Sequence, residues 1–268
     1  VASAEEVTVT TIVVVSTAYR AEQYAARCVE SVMGQTLQVP HVFMADDAPT
    51  LFVAEQALKR QLHRSVLTVL RHGYGSQLES VYRVMESLPP ETVVCWLDGD
   101  DWLARPDAIE IVRSVYDSGD VWLTFGSFEC WPHDPERRGC APYAPDVVAD
   151  GSYRKAPWLA SHLKTFRAGL FLAIRERDLK QPDGSWMTEV TDRATMWPML
   201  EMAGERHRFI PEVLVTYNGS NPRSIPNAGG ERLSKEAFET ERMIRMPRYP
   251  RLPWPPWELP AAPWTGTQ

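Results

Sequence analysis

Val93-Val94-Cys95-Trp96-Leu97-Asp98-Gly99-Asp100-Asp101 is the stretch that decides the fold. Its apolar start is rich in strand formers, the pattern of a buried strand. Three carboxylates then arrive within four residues, where that strand should leave its sheet. Carboxylates this close repel one another and resist desolvation, so the site is costly unless a cation occupies it. Oxygen ligands at this density suit Mg2+ or Mn2+ better than zinc. A calcium loop is excluded: counting from Asp98, the sixth position is Leu103 and the twelfth Ile109, where an EF-hand needs Gly and Glu. The alternative reading is an acidic turn that caps the next helix.

Upstream of this stretch, strand and helix patterns alternate. Thr10 to Val15 is a β-branched run, followed by a helical stretch from Glu22 to Met33. Val39 to Ala45 reads as a second strand ending at Asp46-Asp47, and Leu51, Ala54, Leu58 and Leu62 share one helical face. Val66 to Leu70 is a third strand. Past Gly73 and Gly75, Leu78, Val81, Tyr82, Met85 and Leu88 repeat at helical spacing until Pro89-Pro90 stops them. Downstream, a helix over Arg105 to Tyr116 and a strand over Val121 to Phe125 complete the series. Alternation of this kind predicts an α/β fold with a mostly parallel central sheet and helices on both faces.

In such sheets ligands bind beyond the carboxyl ends of the strands. Thr17-Ala18-Tyr19, Asp46-Asp47 and Asp98 to Asp101 all collect at that edge. Neither the G-x-G-x-x-G fingerprint nor the Walker G-x-x-x-x-G-K-[ST] loop is present, so the edge should hold a nucleotide through carboxylates and a metal. From Gly126 the rhythm breaks, and residues 131–158, rich in Pro, Asp and Gly, read as a long irregular excursion. Order should return over Ala160 to Arg175, in a helix over Asp192 to Gly204 interrupted by Pro198, and in a strand over Phe209 to Tyr217. Pro247 to Pro263 holds seven prolines, with Trp254 and Trp257 among them and Trp264 just beyond. That Pro/Trp-rich C-terminal tail cannot be regular helix or sheet and is expected to pack along the domain in extended form.

With 268 residues, 44% hydrophobic and 24% charged, the chain has an ordinary globular composition. A net charge of −7 argues against a generally basic nucleic-acid surface. No apolar run approaches a membrane span, and the start, Val1 to Glu6, lacks the regions of a secretory signal. Cys28, Cys95, Cys130 and Cys140 show no metal or disulfide spacing, although a Cys130–Cys140 bridge is conceivable. The expected compartment is reducing and cytoplasmic.

In order, Ile12 to Tyr19, Cys28 to Thr36, Met44-Ala45-Asp46-Asp47-Ala48-Pro49-Thr50 and Trp96 to Asp101 resemble a family 2 glycosyltransferase of the Rossmann-like GT-A fold. The resemblance is strongest over residues 8–125. It continues through Ser161 to Arg167, Asp192-Arg193-Ala194 and Tyr217 to Pro222. It implies a nucleotide-sugar-binding half at residues 7–125, an irregular acceptor-binding and catalytic half at 126–230, and a C-terminal helix and extended tail at 231–268.

The resemblance also implies roles. Thr17 and Tyr19 would line the nucleotide site, Tyr19 against the base. Asp47 would accept a hydrogen bond from a ring N–H, although Asp46-Asp47 also reads as a turn and helix cap. Arg71 would reach the base or a phosphate. Asp98 would contact the ribose across Gly99, Asp100 would bind Mn2+ or Mg2+ at the diphosphate, and Asp101 would orient the loop or cap the next helix. His162, Lys164 and Arg167 would cluster beside the diphosphate. Asp192 would be the general base, with Glu189 as the second candidate and a helix cap as the third reading. His207 and Asn221 are further candidates at the metal or acceptor site. The family's usual Asn after the Thr-Tyr element is Arg20 here.

The implied function is inverting, metal-dependent transfer from a nucleotide sugar, UDP-sugar foremost, to an acceptor hydroxyl on a glycan. An alternative acceptor is a hydroxymethylated base in DNA, as for some viral enzymes, bound by a basic face of Arg137, Arg138, Arg154, Lys155 and Lys164. Two other readings are a same-fold nucleotidyltransferase, which lacks its usual glycine-rich basic loop here, and a sugar-nucleotide-binding module without turnover.

Overall fold

The computed structural model describes residues 10–59, 67–71, 75–134, 140–222 and 230–258. The β-branched runs form parallel strands β1 (Ile12–Ala18), β2 (His41–Ala45), β3 (Leu67–Arg71) and β4 (Val93–Asp98). Between them lie α1 (Ala25–Met33), α2 (Ala48–Lys59) and α3 (Gln77–Ser87), and α3 starts where the Ser76 hydroxyl accepts the Glu79 N–H at 3.4 Å. After β4 come a two-residue strand, β5 (Trp102–Leu103), then α4 (Ala108–Asp117) and β6 (Leu123–Trp131). The second half supplies α5 (Pro145–Asp150), β7 (Lys164–Arg167), α6 (Ala168–Leu172), α7 (Thr191–Ala203), β8 (His207–Asn218) and α8 (Gly230–Arg245).

One sheet joins all of them in the order β3-β2-β1-β4-β7-β6-β8-β5. It is parallel from β3 to β4, as alternation predicts, and mixed beyond, because β7 runs antiparallel to both β4 and β6 and β5 runs antiparallel to β8. β6 outruns its expected end at Phe125. It shifts register between Gly126 and Phe128 and then continues along β8 to the Trp131–Asn218 pair. The irregular excursion contains α5, which begins on Pro145 at its first turn and ends on Gly151 at φ 62°, a backbone that favours glycine. α7 runs through Pro198 in a fully packed setting.

The alternation along the central strands divides the core. Val13, Val15, Val94 and Trp96 face α3, α6 and α7, while Ile12, Val14, Val93, Cys95 and Leu97 face α1, α2 and α4. Val93 to Leu97 are almost wholly buried, so this strand stands at the centre of both layers. Chain 247–258 lies across the opposite edge of the sheet from the acidic loop. Leu252 donates its N–H to Met202 O at 2.9 Å, and Trp257 meets Trp122 edge-on at 5.2 Å. All four cysteines are free thiols, including Cys130 and Cys140. Among the described residues, no helix is long and apolar enough to cross a membrane.

Beneath the carboxyl edge, His41 Nε2 lies 3.0 Å from Ser16 Oγ, and its Nδ1 is buried without a partner. Burial lowers this imidazole from an ordinary 6.5 to about 3. The unfolded chain therefore binds the extra proton between those values, and stability is lost as pH falls from about 6.5 toward 3, by up to ~1.4 kcal/mol per pH unit. Urea unfolding at pH 7 and 4.5 should show a steeper loss for wild type than for His41→Gln; equal losses would exclude His41 as the cause.

Gly99 presents a second constraint. Its N–H donates to Thr17 O at 2.9 Å, and a Cβ there would meet Ala18 Cβ at 2.6 Å and Thr17 O at 2.8 Å. Gly99→Ala should therefore cost on the order of 2 kcal/mol by forcing β1 from β4. Gly119→Ala, whose Cβ would meet nothing within 4 Å, should change stability by less than about 0.5 kcal/mol. Equal melting temperatures for the two variants would contradict the packing argument.

Candidate active site

The acidic loop leaves β4 at the carboxyl edge, beside the end of β1, because Thr17 pairs with Asp98 across the two strands. Gln77, the first residue of α3, fastens the two ends. Its Nε2 donates at 2.8 Å to both Thr17 Oγ1 and Asp98 Oδ1. Its Oε1 accepts from Thr191 Oγ1 at 3.2 Å, so the same side chain ties the donor edge to the start of α7. Its role was not legible in sequence, since the helical periodicity marks only the buried positions after it.

The three loop carboxylates have different surroundings. Asp98 is partly exposed. Asp100 accepts from Asn221 Nδ2 at 2.6 Å; burial first, then the Asp98 charge, raises its pKa, which Asn221 counteracts. Asp101 is buried, and its Oδ1 accepts the Asn218 N–H at 2.8 Å. Burial followed by Asp100 and Asp98 raises its pKa well above the usual carboxylate range. Asp101 Oδ2 is buried with no hydrogen-bond partner, 3.9 Å from His162 Nδ1. Single ligand atoms of Asp98, Asp101 and His162 lie within 4.8 Å of one another. A self-repelling acidic loop with an orphaned buried oxygen and an imidazole alongside fits a divalent cation. Asp100 stands next to this trio.

Asp192 lies in the first turn of α7, with its side chain about a third exposed, 4.0 Å from Lys164 Nζ. Burial works to raise its pKa, but the Lys164 charge leads the effects that hold it below the ordinary value. The residue that precedes α7, Val190, has no side-chain cap, and Asp192 is the acidic residue of the first turn. The segment that leads into α7 is held by Glu239 of α8, fully buried, which accepts the N–H groups of Thr188, Glu189 and Val190 at 3.4, 3.0 and 3.1 Å. Glu189 turns instead to Arg232, at 2.8 Å.

Just past β1, Tyr19 is 55% exposed, with the Arg20 guanidinium 5.1 Å from its ring centroid. Asp47 does serve as a cap, since Oδ1 accepts the Thr50 N–H at 3.0 Å, while Oδ2 accepts the Arg20 N–H at 2.5 Å. Burial pushes its pKa up, but these bonds prevail and lower it. Arg20 has φ 51°, the left-handed region that non-glycine residues other than Asn and Asp seldom adopt. Arg71 ends β3 at the same edge, paired with Ala45, and its side chain lies outside the described residues.

Three expected members are elsewhere. β7 runs antiparallel to β4, pairing Lys164 with Trp96 and Arg167 with Val93, so Arg167 sits at the opposite edge. There it donates to Glu91 O at 2.8 Å and stacks on Trp257. His207 starts β8 at that far edge, with Nδ1 2.6 Å from Gly204 O and its ring stacked on Phe125. Arg154 is buried against Glu201 at 2.7 Å. With Lys164 buried as well, neither supplies the basic face a DNA acceptor would need, and Arg137 and Arg138 lie outside the described residues.

Residues 13–138 match the model of glycosyl transferase family 2. No curated protein matches the chain in sequence. TarS of S. aureus is similar in structure at 14% identity and TM-score 0.57, over 88% of this chain and 39% of that one. This chain therefore spans well under half of that protein's length, and TarS 1-349 is also solved with UDP-GlcNAc. A mannosyltransferase from Pyrobaculum calidifontis, in complex with GDP-Man and Mn2+, gives 14% identity and TM-score 0.57 over 95% of this chain and 69% of that one. Glucosyl-3-phosphoglycerate synthase from Mycobacterium tuberculosis, in complex with Mn2+, UDP and glucosyl-3-phosphoglycerate, gives 11% and 0.55 over 89% and 81%. At such identities the likeness speaks for the GT-A fold, and residues 13–138, just under half of the chain, carry the match to glycosyl transferase family 2.

Proposed function

We propose that the chain transfers a sugar from a nucleotide-sugar donor, a UDP-sugar foremost, to an acceptor hydroxyl with inversion at the anomeric carbon and with help from Mn2+ or Mg2+. The observation that carries this reading is the placement of Asp98 and Asp192 on either side of Lys164 Nζ, at 3.8 and 4.0 Å. Two carboxylates from different elements, the end of β4 and the start of α7, thus converge on one ammonium group. In the reaction, Asp192 takes the acceptor O–H proton as that oxygen bonds to the anomeric carbon. The bond from that carbon to the diphosphate breaks on the opposite face, and the diphosphate leaves.

Asp98, Asp101 and His162, whose ligand atoms lie within 4.8 Å of one another, would hold the cation together with the neighbouring Asp100. When bound, it acts as a Lewis acid that neutralises the leaving diphosphate. Tyr19 offers a stacking face to the base, and Asp47, whose oxygens keep further lone pairs, accepts from a ring N–H. Arg71 would reach the base or a phosphate. The uridine preference is supported by relatives solved with UDP, although the mannosyltransferase was solved with GDP-Man. A glycan-type acceptor is favoured over DNA because Arg154 is consumed in a buried ion pair.

Asp100→Ala should abolish Mn2+-supported transfer and melt within a few degrees of wild type, because it removes one member of a self-repelling cluster. Unfolding of the variant, or full activity without added metal, would contradict the role of Asp100. Asp192→Asn should lower the transfer rate on the order of a hundredfold or more with UDP affinity nearly unchanged, whereas Asp98→Asn should weaken UDP as well. Calorimetry with UDP and rate measurements on both variants test this. Equal loss of UDP affinity in the two would place Asp192 in the donor site, and no effect of Asp192→Asn on rate would remove it from the chemistry.

A further inference from the structure

One ammonium group lies inside the acidic cluster. Lys164 enters from β7 opposite Trp96, and its side chain is only 2% exposed. Its Nζ stands 4.8 Å over the Trp96 ring, 3.8 Å from Asp98 Oδ2 and 4.0 Å from Asp192 Oδ2. Burial alone would strip its proton more easily, but Asp192, then Asp98 and Asp101, hold it charged. A single positive charge is thus shared between a carboxylate on the donor side and one on the acceptor side.

A divalent cation bound through Asp98 would have to share that carboxylate with Nζ. Like charges on one carboxylate in a poorly solvated cleft repel strongly. Without Lys164 the same carboxylates and His162 would form an open chelating site in the free protein. We propose that Lys164 is a resident countercharge that makes metal loading conditional on a nucleoside diphosphate. It balances the acidic loop while the site is free, and the anionic diphosphate offsets it when the donor arrives, so cation and nucleotide bind together. This inference rests on the metal-assisted reading of the same site.

The test is calorimetric titration of Mn2+ into wild type, Lys164→Met and Lys164→Gln, each with and without saturating UDP, after thermal melting has verified the fold. Wild type should bind Mn2+ roughly tenfold or more tightly with UDP than without it. Both neutral variants should bind Mn2+ alone about tenfold more tightly than wild type and lose most of the dependence on UDP. Unchanged Mn2+ affinity in the variants would overturn the role of Lys164 and leave the metal reading standing. Weaker UDP binding by the variants without metal, at unchanged Mn2+ affinity, would make Lys164 a phosphate ligand and overturn it too. The wild-type arm needs no variant: equal Mn2+ affinity with and without UDP overturns the proposal, and no Mn2+ uptake even with UDP overturns both the proposal and the metal-assisted reading.

Discussion

Carboxylate repulsion is the constraint around which this molecule is built. Asp98, Asp100, Asp101 and Asp192 converge at one edge of a sheet whose central strand is buried on both faces. Concentrated negative charge next to a low-dielectric core is unstable unless it is countered. The chain counters it piecemeal. The amide of Gln77 serves Asp98, Asn221 serves Asp100, the backbone of Asn218 serves Asp101, and Lys164 stands between two of the four. The partners come from α3, from β7 and from the end of β8 with the turn after it, so the charge at this edge is coupled to packing across the domain.

That coupling explains why the second half, irregular in sequence, is firmly attached. β8 delivers Asn218 and Asn221 to the acidic loop, and β7 delivers His162 and Lys164 from the other side. α7 is fastened twice, by Gln77 through Thr191 and by Glu239 through the N–H groups that precede the helix. A carboxylate that accepts several backbone N–H bonds fixes a helix start more stiffly than one hydroxyl cap does. Arg193 adds a bond to Thr240 at 2.8 Å, so α7 and α8 meet through side chains on both sides of Asp192.

Much of this was legible in the sequence, and the limits have a physical reason. The parallel half declared itself because its determinants are local: Ile12 to Val15 and Val93 to Leu97 are apolar at every position, as only a doubly covered strand is. The acidic loop was equally local. The direction of β7 was not, since Lys164 to Arg167 carries no mark of which neighbour it pairs with, and that direction alone sends Lys164 into the site and Arg167 away from it. Gln77 and Glu239 escaped for the same reason. Their partners, 2.8 to 3.4 Å away, are distant in sequence, and polar side chains at helix positions read as solvent-facing until the fold is known. The left-handed backbone of Arg20 is likewise invisible in the sequence, because Arg carries no local preference for it.

Glu239 has one more consequence. The Gln77 link to Thr17 and Asp98 needs nothing beyond β4, whereas the N–H groups before Asp192 find their acceptor only in α8, near the end of the described chain. As the polypeptide emerges during synthesis, the Gln77 clasp on Thr17 and Asp98 can form well before the segment that leads into Asp192 has anything to hold it. A nascent chain would thus own the first clasp of this edge while the position of Asp192 still waits for α8 to dock.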